Sequence, residues 1–356
     1  MKVLQLIDSL ETGGAERVAV NIANALATKI EGSYLCTTRV EGLLKDSIDG
    51  KVHFLFLNKQ STWHLKSILK FNAYVKKEEI QIIHAHASSF FLASIIRVFN
   101  KRVKIVWHDH YGNSMFLQNR KFKVLRLFSV YFNHIFSVNK QLEQWAKVNL
   151  KAKSVCFLPN FAVINNEPSK TNLFGEAGKR IICLANLREQ KDHHNLLNAF
   201  KTVVENHGDW SLHLVGKDFN DPYSESIKSF IINNKLEKHV FIYGSQPDTF
   251  HILSQCNLAI LSSKSEGLPL ALLEYGLAKL PVIATQVGEC TEVIDNYGLL
   301  VPPENSKELS KAIIQCVEDE ELRNVNAMSY HAHIQNTYSE TAQVKTILKV
   351  YNTICN

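Results

Sequence analysis

Short apolar runs alternate with amphipathic stretches along almost the whole chain. Lys2–Ile7, Gly32–Thr37, Val52–Leu57, Ile80–His84, Val103–His108, His134–Val138 and Ser154–Leu158 are short and rich in β-branched or aromatic residues, the mark of buried strands. Between them, Gly14–Ala27 and Leu65–Lys77 place apolar residues at helical spacing. The alternation pauses over Phe161–Lys179, where Asn, Glu, Pro, Ser, Thr and Gly break the periodicity. It resumes with Arg180–Ala185, Ser211–Val215, Val240–Tyr243, Leu258–Ser262 and Pro281–Ala284, each trailed by a helical pattern. Strands that alternate with helices predict parallel, doubly wound sheets. In such sheets ligands bind outside the carboxyl ends of the strands.

The 356 residues exceed one ordinary compact domain and predict two. No apolar run reaches the length of a membrane span or a signal segment; Val3-Leu4-Gln5-Leu6-Ile7 stops at Asp8. The seven cysteines are widely spaced, odd in number and without a C-x-x-C pair. A reducing cytoplasm suits them better than a disulfide framework. The net charge of +6 is uneven: residues 1–160 hold 23 Lys+Arg against 11 Asp+Glu, and the remainder 17 against 23. A basic first half suits a polyanionic acceptor or an anionic membrane surface, most of all at Asn119–Phe128, where basic and apolar residues mix. No nucleic-acid motif accompanies the charge.

The densest chemistry lies in Ser265-Glu-Gly-Leu-Pro-Leu-Ala-Leu-Leu-Glu274. A strand ending at Ser262 feeds a tight turn and then a helix expected from about Pro269. Amides of Gly267, Leu268 and Leu270 at such a helix start suit a phosphate or a sugar hydroxyl, and Glu266 and Glu274 supply acceptors for hydroxyl groups. Upstream, Asn186-Leu187-Arg188-Glu189-Gln190-Lys191 follows the first strand of the second half. Its Arg and Lys, expected at a helix entrance, suit a diphosphate. In the first half, Gly13-Gly14 opens a helix after the first strand. No dinucleotide fingerprint or Walker loop occurs. His84-Ala-His86 and His108-Asp-His110 stand at strand ends, with each pair on one face. No carboxylate or Cys is spaced to complete a metal site, and no metal is expected.

Ser265–Glu274, continued by Ala278–Thr285 and Gly288–Glu292, resembles the E-x7-E region of glycosyltransferase family 4, and the resemblance covers nearly the whole chain. It implies the GT-B fold: two Rossmann-like domains facing across a cleft, with an acceptor-binding domain over 1–163, a linker over 164–179, and a nucleotide-sugar domain over 180–337. A terminal helix over 338–356 is expected to pack back on the first domain.

The implied activity is a retaining transfer from a nucleoside-diphosphate sugar, by family habit uridine-linked with guanosine second, to a hydroxyl acceptor in polysaccharide or glycolipid synthesis. The nucleotide sugar is a substrate, and no cofactor is implied. Arg188 and Lys191 look like the family's diphosphate pair, although its flanking glycines are absent and Asn186 and Asp192 stand nearby. Gly13-Gly14 is similar to the family's glycine loop near donor phosphate and acceptor. The family's functional His corresponds to His110, with His108 second and His86 nearby. Gly216 ends one strand, and Tyr243-Gly244 lies where relatives hold the base. Catalytic roles fall to His110, Glu266, Arg188 and Lys191. Gly13, Gly14, His86, His108, Asn186, Gly216, Tyr243, Gly244, Gly267, Leu268, Pro269, Leu270 and Glu274 would bind substrate. Two other readings stay open: a nucleotide-sugar epimerase, which interconverts donor alone, and an inactive sugar-nucleotide-binding protein.

Overall fold

The computed structural model describes residues 1–112, 114–164 and 169–355. Residues 165–168 of the expected linker lie outside the described residues. The chain forms two compact units, 1–161 with 340–356, and 162–339.

The first unit contains strands β1 (Lys2–Ser9), β2 (Gly32–Val40), β3 (His53–Phe56), β4 (Ile82–His86), β5 (Lys104–Asp109), β6 (Phe132–Ser137) and β7 (Val155–Phe157). Its helices are α1 (Gly14–Leu26), α2 (Leu65–Lys77), α3 (Phe90–Phe99), α4 (Lys123–Phe128) and α5 (Lys140–Asn149). The sheet runs β3-β2-β1-β4-β5-β6-β7, with every pairing parallel. Both faces are covered, so β1 reads as an apolar run broken only by Gln5, with Val3–Ile7 buried. The second unit contains β8 (Arg180–Leu184), β9 (Ser211–Val215), β10 (Val240–Gly244), β11 (Leu258–Leu261), β12 (Val282–Thr285) and β13 (Leu299–Val301). Its helices are α6 (His193–Asn206), α7 (Pro222–Asn233), α8 (Thr249–Leu253), α9 (Leu270–Leu277), α10 (Cys290–Ile294), α11 (Ser306–Glu318) and α12 (Glu320–Thr337). This sheet, again parallel, runs β10-β9-β8-β11-β12-β13. The last helix, α13 (Glu340–Cys355), returns to the first unit, where Tyr351 is fully buried.

Both sheets share one construction. The chain lays two further strands on one side of the first, then crosses to the other side. The crossing leaves a switch point between β1 and β4 and another between β8 and β11, where the loops leaving the strands diverge and open a crevice.

Several boundaries differ from the sequence reading. β4 and β5 run on through His86 and Asp109, so His84, His86 and His108 lie inside strands and only His110 follows one. Polarity does not end these strands, because His84 and His86 find buried hydrogen-bond partners. β13 escaped notice: three residues before a proline carry no readable period. Helix α9 starts at Leu270, with Pro269 as its extended N-cap rather than its first residue. Helix α6 starts at His193, so Lys191 sits in a preceding 3-10 turn and not at the helix entrance. Cys36, Cys183, Cys256, Cys290 and Cys316 are buried and unpaired, as filler thiols should be.

Candidate active site

In the second unit the residues of interest gather on the loops leaving β9, β8 and β11, three neighbouring strands. Leaving β8, the chain places Asn186, Arg188 and Lys191 in quick succession. The Lys191 Nζ lies 2.5 Å from Glu266 Oε1, and the same oxygen accepts from Ser263 Oγ at 2.6 Å. The two side chains are 19% and 5% exposed. The pair is therefore largely desolvated, and each charge depends on the other. Residues 75 apart in sequence meet because β8 and β11 are adjacent. Further bonds clamp the two loops together. Ser262 Oγ donates to the Lys191 carbonyl at 3.0 Å, and Lys264 N donates to the Gln190 carbonyl at 2.8 Å.

Arg188 leans the other way. Its guanidinium is exposed and lies 4.7 Å from the centre of the Phe219 ring, on the loop leaving β9. The two cations thus flank the carboxyl end of β8, Arg188 toward β9 and Lys191 toward β11. The residue after Lys191, Asp192, has φ +50°, a left-handed conformation that Asp tolerates. Its side chain then caps α6 by accepting from Asn195 N. The loop thus makes its left-handed turn at an Asp and needs no glycine there. Asn186 stands in similarly, accepting from Lys217 N at 2.8 Å. Gly216 answers a close approach: a Cβ there would lie 2.2 Å from the Ala185 carbonyl oxygen.

Beyond β11, Glu266, Gly267, Leu268, Pro269 and Leu270 are all buried, and Glu274 is buried in α9, the helix they lead into. Gly288, on the loop leaving β12, has φ +54°. A Cβ at that position would stand 2.2 Å from the Glu266 carbonyl oxygen and 2.8 Å from that of Gly267. Only glycine lets the two loops touch. Gly288→Ala is expected to cost about 2–4 kcal/mol of stability, from a strained backbone and a displaced Glu266 loop. Thermal unfolding would show a lower midpoint, with any stabilisation by nucleoside diphosphate lost as well. Leaving β10, Gly244 has φ +67° and accepts from Gly216 N at 2.9 Å. The hydroxyl of Tyr243 accepts from Phe174 N and meets His213 Nδ1, each at 3.0 Å, so this side chain is held within the fold.

In the first unit, Gly13 caps α1 and Gly14 begins it, and a Cβ at Gly14 would face open space. Asp8 in β1 ties the switch point together: its carboxylate accepts from Thr38 Oγ1 at 2.5 Å and Ser88 Oγ at 2.6 Å. Four imidazoles stack on one face of the same sheet. The His84 and His86 rings are 4.6 Å apart, and those of His108 and His110 are 4.1 Å apart. His84, His86 and His108 are almost fully enclosed, whereas His110 is half-buried. Burial, followed by the neighbouring imidazoles, holds the first three well below the usual histidine pKa.

The sequence offered no third partner for the His84–His86 pair, but the structure supplies one in His108, on the adjacent strand. The three candidate ligand atoms lie within 4.8 Å of one another. Two bonds of ~2.1 Å at a tetrahedral angle span only about 3.4 Å. Both His86 nitrogens are engaged, with His110 and Gln5, whereas His84 Nε2 and both His108 nitrogens are buried without a hydrogen-bond partner. Arg120 belongs to the interior as well. It grips Asp109 through two bonds of 2.7 and 2.8 Å between the Tyr111 and Trp145 rings, and so leaves the exposed basic stretch in which the sequence placed it.

Sequence reasoning gave no role to Ser263, Phe219, Asp8, Gln5 or Tyr351. Their signal is spatial, since each acts on a residue from another strand or loop.

Two family models match in succession: Glycosyltransferase Family 4 over residues 12–162 and Glycosyl transferases group 1 over 165–331. The chain belongs to the glycosyltransferases. An uncharacterized glycosyltransferase of Methanocaldococcus jannaschii is 26% identical over 320 residues, 81% of this chain and 86% of that protein. A Campylobacter jejuni relative, named N,N'-diacetylbacillosaminyl-diphospho-undecaprenol alpha-1,3-N-acetylgalactosaminyltransferase, is 30% identical over 117 residues, 32% of this chain and 31% of that one. Among solved structures, Anabaena HepE in complex with UDP-glucose superposes with a TM-score of 0.80 at 19% identity, covering 99% of this chain and 100% of its own. The two parallel-sheet units are those of GT-B glycosyltransferases. Among the described residues no helix is long and apolar enough to cross a membrane.

Proposed function

We propose that this glycosyltransferase moves a sugar from a uridine-diphosphate donor to a hydroxyl acceptor with retention of anomeric configuration, in cell-surface polysaccharide or glycolipid synthesis. The observation that carries the reading is the Lys191–Glu266 pair at the β8/β11 switch point, with Arg188 on the other flank of β8. The UDP-glucose held by HepE, a protein of this fold, supports the choice of donor.

In this reading Arg188 and Lys191 hold the diphosphate, with Asn186 and Gly216 shaping the loop beneath it. Glu274 accepts from ribose hydroxyls, and backbone amides at Tyr243 and Gly244 face the base. Glu266 and the Gly267–Leu270 turn orient the sugar, with Pro269 setting the start of α9. In the first unit Gly13, Gly14 and His110 receive the acceptor, and the enclosed His86 and His108 act only through His110. As the anomeric carbon–oxygen bond to phosphate breaks, negative charge grows on the diphosphate. The two cations stabilise that charge more in the transition state than in the ground state. The acceptor oxygen bonds to the anomeric carbon on the face the phosphate leaves, and its proton departs with the diphosphate. No protein nucleophile and no metal is required.

Thermal shift against UDP, GDP and their sugars tests the donor site. Ligand at 100 times its Kd stabilises by about 2.7 kcal/mol, which UDP should produce and Lys191→Met should abolish. No response to any nucleoside diphosphate, or a product of inverted configuration, would refute the reading.

The acceptor side points to a lipid. Between residues 59 and 142 the chain carries 14 Lys+Arg against three Asp+Glu, and of these Lys59, Asp109 and the side chain of Arg120 are buried and add nothing to the surface charge. In the same span Trp63, Leu65 and Leu69 near or on α2, Phe99 on α3, and Val124 and Leu127 on α4 are exposed. Edge-on ring contacts run from Trp63 to Phe91 and from Phe91 to Phe128, each at 5.1 Å, and join the three helices into one surface. Apolar side chains ringed by cations suit an anionic bilayer. The undecaprenol-linked substrate in the name of the Campylobacter relative agrees. Vesicles containing phosphatidylglycerol should sediment the protein at low salt and release it at high salt. Leu127→Glu should weaken this binding at least tenfold, and equal binding to neutral vesicles would count against it.

A further inference from the structure

A chain of hydrogen bonds leads inward from His110 to the terminal helix, and its donors all run in one direction. The Gln5 amide turns its carbonyl oxygen to His86 Nε2 at 2.9 Å and its nitrogen to the Tyr351 hydroxyl; because a carbonyl oxygen can only accept, this orientation places the proton of His86 on Nε2. A buried, neutral His86 then carries its lone pair on Nδ1, which stands 3.0 Å from His110 Nε2. His110 must therefore donate through Nε2. On its other side the Gln5 amide nitrogen donates to the Tyr351 hydroxyl at 3.4 Å, and that hydroxyl spends its single proton on His84 Nδ1 at 2.6 Å. The chain ends at His84 Nε2, which is buried without a partner.

Each link follows from the one before. β1 carries Gln5 beside β4, β4 carries His84 and His86 on one face, and α13 lays Tyr351 over them. A neutral imidazole alone would divide itself between two tautomers. Here the protein chooses, because the other tautomer of His110 would set two lone pairs against each other across 3.0 Å.

We infer that Gln5, His86 and Tyr351 hold His110 as the Nε2–H tautomer, so that Nδ1 is unprotonated and His110 receives a hydrogen bond from a sugar or acceptor hydroxyl instead of giving one. The functional half of this inference rests on the reading that His110 meets substrate. The three network residues act through His110 and are positioning residues. Helix α13 thereby sets the hydrogen-bonding polarity of a side chain at the end of β5.

Nitrogen-15 histidine spectra of the whole protein at pH 7.5 test the proposal, with the His110 signals assigned through His110→Gln. The wild type should show His110 protonated at Nε2. Gln5→Leu should mix the two tautomers and lower kcat about tenfold, with KM for the donor within twofold. Tyr351→Phe, which removes only a hydroxyl, gives an independent and smaller mixing if Gln5→Leu folds poorly. An Nδ1–H His110 in the wild type, or an unchanged tautomer in Gln5→Leu and Tyr351→Phe alike, would overturn the proposal. Should the active-site reading fail instead, His110→Ala would keep wild-type turnover while the tautomer pattern stayed as described.

Discussion

Lys191→Met is expected to lower turnover by about 10²–10³-fold, equivalent to about 3–4 kcal/mol of lost transition-state stabilisation. The same variant should also melt earlier. Lys191 pairs with a carboxylate that is 5% exposed, and removing one partner of a buried ion pair leaves the other charge uncompensated. That cost is about 3–5 kcal/mol for a fully buried pair and less here, because Lys191 keeps some contact with water. The double variant Lys191→Met with Glu266→Gln separates the two effects. Its amide replaces the stranded charge and still accepts from Ser263 Oγ, so stability should return toward wild type. Turnover should not return. Calorimetric melting and product formation from UDP-sugar measure the two quantities. Wild-type turnover in Lys191→Met, or its recovery in the double variant, would show that the pair serves the fold alone.

Mild acid is expected to collapse the protein. His84, His86, His108, His193 and His213 are almost fully enclosed, and burial depresses the pKa of each below the ordinary 6.5. The unfolded chain takes up a proton at each of these histidines near pH 6.5, while the folded chain refuses it. Below pH 6.5 the unfolded state therefore binds more protons, and stability falls as the pH falls toward the folded values, about 3 for His193 and about 4 for His213. Each such group loses about 1.4 kcal/mol per pH unit in that window. Five together remove several kcal/mol by pH 5.5, a large share of the 5–15 kcal/mol typical of a folded protein. The melting temperature should be level from pH 8 to 7 and drop steeply from 6.5 to 5. His213→Asn and His193→Asn should each flatten the slope by about one proton. A level profile down to pH 5 would mean that these imidazoles reach water.

Much of the architecture could be read from the chain alone, because hydrophobic period is a local property. Ser211–Val215 and Leu65–Lys77 match their elements end to end, since a parallel strand covered on both faces is mostly apolar and a helix covered on one is apolar on that face alone. Errors fell where tertiary partners overrode local polarity. Ile80–His84 was read two residues early because Gln5 and Tyr351, which satisfy the histidines, come from β1 and α13. Arg120 reads as a surface cation in the sequence because its partner Asp109 lies on another element, β5.

What the sequence by itself determined is the class of fold, two parallel α/β units, and the segments that bear chemistry: Asn186–Lys191, Ser265–Glu274 and the histidine strands. Strand order was decided only in three dimensions. It set Lys191 against Glu266, made His108 the neighbour of His86, and required a glycine at 288. The reason is geometric. Periodicity records which face of an element is buried but nothing of which element lies beside it, and a charge or an imidazole takes its chemistry from that neighbour.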